Sequence, residues 1–389
     1  MLIVYLIISI LKEGVKMNVL VTAEHFGYGP IATALNVVKE LKKYDDITLS
    51  FMGTGIALEQ AKMSNYFDKI IECKTYDINE LKKVKMILLN FDVILSSENQ
   101  PGAKYAVECG HEAVYFIDNL MWMWDRLDKG LENVKGYFIS EIIPSKDNFN
   151  RIGNKISNPY FVGPLRELHT NNNLTKEKKL IINIGGAEAF VIDSKIIINF
   201  YNKLINEILE VGLIDSLFEK IIICGGSGVI DNLKIKNVNE KVTIKTLSNE
   251  DYLNELDSCS HCIFASGLGN FIESVWRDKD ILFVPPINYS QLLQLSYYKE
   301  LDLGYKIINW DRFSFFKKIP KLLDENTGVD LVIDNVKKYL TDNTNIIKDE
   351  VIQFLENSQN TYYKNRQKYV SKFNGNAAKL VAQIIYNDN

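Results

Sequence analysis

Short apolar runs alternate with turn residues and amphipathic stretches along most of the chain. Runs at 18–23, 48–52, 93–96, 113–117 and 137–140 fall in the first 165 residues, and runs at 180–184, 220–224, 242–245, 262–265 and 281–284 follow a polar interval. Most of these runs are predominantly apolar rather than apolar at every second position, the pattern of a strand covered on both faces. Glycine-rich turns close many of them, among them Gly27-Tyr28-Gly29-Pro30, Gly53-Thr54-Gly55, Gly185-Gly186, Gly225-Gly226-Ser227-Gly228 and Ser266-Gly267. Strands alternating with helical stretches such as 31–43 predict parallel sheets. The expected fold is α/β, with two Rossmann-like doubly wound domains facing across a cleft and a C-terminal helical tail.

Within that pattern, 17–165 reads as the first domain and the polar segment 166–179, containing Asn171-Asn172-Asn173, as a linker. Residues 180–345 read as the second domain and 346–389 as C-terminal helices, broken near Gly375. Residues 1–16 read differently. The apolar run 2–11 is too short to span a bilayer, has no preceding Lys or Arg and lacks a small-residue cleavage site. Lys12-Glu13-Gly14 can be encoded by a bacterial ribosome-binding sequence just upstream of Met17. Translation from Met17 is therefore expected, with a short membrane tether as the alternative.

Composition narrows the class. The 389 residues are 47% hydrophobic and 24% charged, as in ordinary globular chains. The net charge is −4 and the pI about 5.8, so no surface for tracking a nucleic-acid backbone is expected. Five cysteines over this length suggest a reducing, cytoplasmic setting rather than a disulfide scaffold.

Ligands of open α/β sheets bind beyond the carboxyl ends of the strands, which filters the polar residues. His111 and His261 precede strands and His169 lies in the linker, whereas His25 directly follows one. The same filter keeps Glu24, Glu98 and Asp118 as acid–base candidates, each with an alternative as a helix cap or loop residue. In the second half, Gly185-Gly186, Gly225-Gly226 with Ser227, and Ser266-Gly267 all stand between a strand and a helix. Backbone N–H groups and a helix dipole attract phosphate at such turns. Gly267-Leu268-Gly269 does not complete a dinucleotide fingerprint, which favours a nucleotide diphosphate over NAD. Glu273, two helical turns after Gly267, has the chemistry to accept from a ribose diol, or it is an ordinary helix Glu. Asp278-Lys279-Asp280 spells a metal-binding D-x-D but precedes a strand, so it reads as a solvated turn. Cys259-Ser260-His261-Cys262 offers too few ligands for zinc, and no metal or cofactor is expected.

The stretch Ala265-Ser266-Gly267-Leu268-Gly269-Asn270-Phe271-Ile272-Glu273, followed by Val284-Pro285-Pro286, Gln291 and Gln294, resembles the nucleotide-sugar signature of GT-B glycosyltransferases. The similarity is strongest to the lipid-II-forming N-acetylglucosaminyltransferase family. The resemblance implies that Glu273 holds the ribose, Ser266 and Gly267 the diphosphate, and backbone near Leu247 the uracil. Val162-Gly163-Pro164-Leu165-Arg166 resembles the family's hinge, whose arginine reaches the diphosphate. Gln291 and Gln294 would complete the donor site. Two departures stand out: Pro30 replaces the loop histidine after Gly29, and Ser290 stands where the family often has Asp. The Phe26-Gly27-Tyr28-Gly29 loop and 117–124 are similar to cytosylglucuronate synthases, which suggests an acceptor heterocycle or nucleoside stacked on Trp122 or Trp124. Core or interdomain packing is the other reading of those tryptophans.

The expected reaction is transfer of a sugar from a UDP-sugar to a small-molecule acceptor, metal-independent and inverting. Asp118 is the first candidate for the base, then His25, then Glu24. Gly27, Tyr28 and Gly29 would border the acceptor. Nucleic acid is not an expected partner, and no basic amphipathic helix points to a membrane. Two other readings stay open, a non-catalytic nucleotide-sugar binder and a sugar-nucleotide 2-epimerase.

Overall fold

The computed structural model describes residues 16–166, 177–187, 192–236, 238–321, 323–342, 345–357, 362–373 and 375–389. Residues 1–15 of the expected leader and 167–176 of the expected linker lie outside the described residues. The chain divides into two units. The first comprises residues up to Glu24, Pro30–Leu165 and Asn376–Asn389; the second comprises His25–Gly29 and Arg166–Gly375.

The first unit carries seven strands: β1 (Met17–Ala23), β2 (Ile47–Gly53), β3 (Lys69–Glu72), β4 (Val93–Ser97), β5 (Val114–Asp118), β6 (Gly136–Ser140) and β7 (Pro159–Val162). They pair in parallel in the order β3-β2-β1-β4-β5-β6-β7. Each inner strand feeds two cores. Val19 and Val21 face one side with Val93, Leu95, Tyr115 and Ile117, while Leu20, Ile94, Val114 and Phe116 face the other. That two-sided burial is why the inner runs are largely apolar at consecutive positions.

The second unit carries β8 (Lys179–Asn183), β9 (Lys220–Cys224), β10 (Val242–Lys245), β11 (His261–Phe264), β12 (Asp280–Phe283) and β13 (Lys306–Ile307). Their order is β10-β9-β8-β11-β12-β13, again parallel. The order therefore reverses between β1 and β4 in one unit and between β8 and β11 in the other, and these are the points where such sheets take ligands. Three edge strands, β3, β7 and β13, are absent from the apolar pattern because they are two to four residues long and mostly half-exposed.

The C-terminal region does not stand apart. Helix Ala377–Asn387 buries Ala377, Ala378, Val381, Ala382 and Ile385 in the first unit's core, an i, i+4, i+8 stripe. Helices Ile346–Asn357 and Tyr363–Val370 belong to the second unit. Arg366 on the latter is almost wholly buried and donates to Asp278 and Asp280, each at 3.0 Å, and to the Leu303 carbonyl. The D-x-D is thus a buried staple for a helix rather than a solvated turn, with Asp278 itself in left-handed backbone at φ 49°.

Candidate functional site

The carboxyl edge of the first sheet gathers Glu24 after β1, Glu98 after β4 and Asp118 at the end of β5. Asp118 is fully buried and both of its oxygens are engaged. Oδ2 accepts from the Tyr137 hydroxyl at 2.8 Å, and Oδ1 accepts from the Leu120 N–H at 2.7 Å and the Trp124 indole at 3.2 Å. Burial pushes its carboxyl up to about 6, against the pull of those donors. Through the Leu120 N–H, Asp118 also opens an Asx-type turn, the loop alternative weighed for it.

Trp122 and Trp124 lie in that loop, both partly exposed. The Trp122 indole donates to the Asn119 carbonyl at 2.9 Å, and Asn148 and Arg151 hold the carbonyls of Met121, Trp124 and Asp125. Glu98 adopts φ 57°, unusual for a residue with a side chain, and its Oε1 accepts from the Asn119 N–H. Burial and the neighbouring Asp118 push its carboxyl well above the ordinary range, with Glu24 adding to this and the Asn119 donors opposing it.

The carboxyl edge of the second sheet is built from donors. Gly185 follows β8 with φ 68°, where a side chain is disfavoured, and its N–H donates to Asn183 Oδ1. Gly186 packs against the backbone of Gly27 and Tyr28; a Cβ there would meet Gly27 Cα at 2.4 Å. The expected anion-binding N–H of Gly226 is already spent on the Gly185 carbonyl, and the helix that begins at Ser227 is only four residues long. The Gly267 N–H likewise bonds the Ala265 carbonyl.

What remains open is the first turn of helix Leu268–Trp276. No side chain caps it, so the N–H groups of Leu268, Gly269 and Asn270 point out of the helix end. Beside that end stand two buried groups with no partner among the described residues, Ser266 Oγ and Arg166 Nη1. Arg166 lies against Gly269, where a Cβ would come within 3.1 Å of Nη2, and Nη2 donates to the Gly29 carbonyl at 3.1 Å. Its Nε is 3.9 Å from Glu273 Oε1. Burial lowers the Arg166 guanidinium and raises the Glu273 carboxyl, and each charge partly offsets the burial of the other.

The Gln294 side-chain oxygen is buried without a partner among the described residues, whereas Gln291 Oε1 closes a turn by accepting from the Ile287 N–H. Leu247 is buried in the loop after β10. His25 is half-buried directly after β1 in the same segment as Gly27, Tyr28 and Gly29, and burial pushes its imidazole below 6.5. Among the described residues no group of three His, Cys, Asp or Glu side chains is arranged to hold a metal, and no helix is long and apolar enough to cross a membrane.

No family model matches the chain, and no curated protein matches it either. Solved structures do. Phytolacca americana UGT2, complexed with UDP-2-fluoro-glucose and pterostilbene, superposes with a TM-score of 0.54 at 10% identity, over 95% of this chain and 99% of that one. Medicago truncatula UGT71G1 with UDP-glucose gives 0.52 at 12% identity, over 96% and 98%. Arabidopsis thaliana UGT89C1 with UDP gives 0.52 at 11% identity, over 92% and 99%. The fold is GT-B.

In this GT-B chain the sequence reading missed a set of polar residues that hold the donor edge in shape. Asn270 Oδ1 accepts from Asn183 and from the Tyr252 hydroxyl, while its amide nitrogen donates to the Ala265 carbonyl. An asparagine directly after the apolar run Leu180-Ile181-Ile182 of β8 was the available signal for Asn183. Tyr137, inside an aromatic strand, offered none.

Proposed function

We propose that the chain is a glycosyltransferase that moves a sugar from a UDP-sugar to a hydroxyl or ring nitrogen of a small-molecule acceptor. The observation that carries this reading is the uncapped end of helix Leu268–Trp276, with Ser266 Oγ and Arg166 Nη1 buried beside it and unpartnered among the described residues. Leaving such donors buried and unpaired costs about 1–3 kcal/mol each, which a diphosphate at that place relieves. The structural neighbours were solved with UDP, UDP-glucose or UDP-2-fluoro-glucose, which supports the same nucleotide here.

In the reaction proposed, the helix end, Ser266 and Arg166 take up the charge that develops on the diphosphate as the bond from the sugar's anomeric carbon to the phosphate oxygen breaks. Glu273 accepts from the ribose hydroxyls, backbone near Leu247 meets the uracil, and Gln294 faces the sugar. The acceptor atom forms the new bond in a single displacement, inverting the carbon, and its proton passes to His25. The imidazole is favoured over Asp118 and Glu24 because burial keeps it neutral near pH 7 and its loop is anchored at the donor edge, by Arg166 at Gly29 and by Gly186 at Gly27. Activity should fall on the acid side through a pKa below 6.5. Trp122 and Trp124 are the proposed acceptor contacts. Positive charge comes from Arg166 and the helix end, and turnover is expected to survive EDTA. The five free cysteines agree with a cytoplasmic setting.

A thermal-shift screen of UDP, TDP, GDP and NAD tests the donor assignment, since a ligand stabilises in proportion to its affinity. UDP should give the largest shift; a preference for NAD would end this reading. Conversion of the donor with no acceptor present would replace transfer by epimerisation.

A further inference from the structure

Behind the second unit's carboxyl edge, buried side chains tie together two elements that stand apart in sequence. The loop after β10 carries Thr246, whose Oγ1 is buried with no partner among the described residues, and the buried Leu247. Ser248 then caps helix Asn249–Ser258, its Oγ accepting from the Asp251 N–H at 3.0 Å. Tyr252, on the first turns of that helix, donates its hydroxyl to Asn270 Oδ1 at 3.0 Å. Asn270 stands in the open first turn of helix Leu268–Trp276, and its amide nitrogen donates to the Ala265 carbonyl at 3.1 Å. Asn270 Oδ1 also accepts from Asn183 Nδ2 at 3.1 Å, and Asn183 Oδ1 accepts from the Gly185 N–H at 2.7 Å.

The chain of bonds runs one way only. A backbone N–H can only donate and a carbonyl only accept, so Gly185 at one end and Ala265 at the other fix both amides in a single orientation. The Tyr252 hydroxyl is then left with the donor role. Asparagine is a poor helix former, and Asn183, Tyr252 and Asn270 are all buried, so every bond in the chain is made away from competing water. A ligand that spans two subsites gains from the second only when the two are held in register, because spacing sets the effective concentration of its second part. We infer that Asn270 and Tyr252 are positioning residues that hold the open helix end in register with the loop 246–248, so that a nucleoside diphosphate meets its base and phosphate contacts together. The uracil and diphosphate assignments rest on the transferase reading above; the joint between loop and helix end does not.

Calorimetry on the full chain with UDP and with inorganic pyrophosphate tests the register. Tyr252→Phe deletes one hydroxyl and keeps the ring. It should weaken UDP several-fold and leave pyrophosphate, which does not reach the loop, as in wild type. Asn270→Ala frees the helix end as well and should weaken both. With a UDP-sugar donor, Tyr252→Phe should raise KM more than it lowers kcat. A purely structural role predicts a lower melting temperature with the ratio of UDP to pyrophosphate affinity unchanged, and that result overturns the inference. Amide hydrogen exchange of the unliganded chain reads the joint without any ligand. Asn270→Ala should speed exchange at Gly185, whose N–H depends on Asn183, and Tyr252→Phe should speed it across 246–252. Exchange as slow as in wild type overturns the inference. If Asn270→Ala does not fold by circular dichroism, Tyr252→Phe decides both arms. Faster exchange in the variants with no UDP bound by any form supports the joint and counts against the donor reading alone.

Discussion

The two sheets share a strand order around their reversal points, β3-β2-β1-β4-β5-β6 against β10-β9-β8-β11-β12-β13, yet their carboxyl edges are chemical opposites. The first edge is acidic, and its fully buried Asp118 is engaged at both oxygens by donors from its own unit. The second edge is rich in donors and unfilled, with an open helix end, Ser266 and Arg166 left over. The difference teaches how to separate structural from ligand-binding polar residues at equivalent places in one architecture. A saturated group builds the protein; an unsaturated one awaits a partner.

Substitutions at the two edges should therefore fail in different ways. The largest effect is expected from Asp118→Ala, which leaves Tyr137, Leu120 and Trp124 donors unpaired at about 1–3 kcal/mol each. A loss of roughly 3–5 kcal/mol in denaturant unfolding is expected, with UDP binding by the folded fraction retained; a fully stable variant would erase the contrast. Arg166→Ala should act the other way round. Turnover should fall about 10²–10³-fold and UDP should no longer raise the melting temperature, because a donor aimed at developing charge is gone. Some stability is lost too, since Glu273 is left buried without its partner, and Arg166→Lys controls for that by retaining the charge without the fork.

A smaller effect is the pH dependence of the acidic edge. Asp118 and Glu98 both titrate higher when folded than unfolded, so the native state binds the extra protons. Their contribution is complete below pH ~4 and is lost as pH rises, through about 6 for Asp118 and higher for Glu98. Guanidinium melts across that range should show unfolding free energy declining with pH, a decline that Glu98→Gln reduces; a rise would mean the acids are held ionised. The smallest effect is expected from Ser266→Ala. One hydrogen bond to the diphosphate is lost, weakening UDP by about tenfold or less by calorimetry. Stability should hold or improve slightly, because an unpartnered buried hydroxyl is removed.

Much of the framework was legible along the chain. Ten apolar runs mark ten strands to within a residue or two at each end, and the rule that ligands lie beyond strand ends made Ser266, Gly267 and His25 candidates without any relative to compare. The edge strands β3, β7 and β13 were missed because half-exposed strands of two to four residues leave no apolar run. The D-x-D was misread because its partner, Arg366, is 86 residues away on a helix whose own sequence is strongly polar. The donors that meet Asp118 were likewise hidden, since the Tyr137 hydroxyl comes from β6, 19 residues on.

By itself the sequence determined the alternation of strand and helix, the two-sided burial of the sheets and the places where glycine had to stand. These arise from periodicity and backbone sterics, which act over a few residues. Only the tertiary structure decided which polar groups at those strand ends are satisfied and which are left over. Hydrogen-bond supply at a buried site depends on what neighbouring strands and helices bring to it, and that pairing is set by the order of strands in space rather than by their order along the chain.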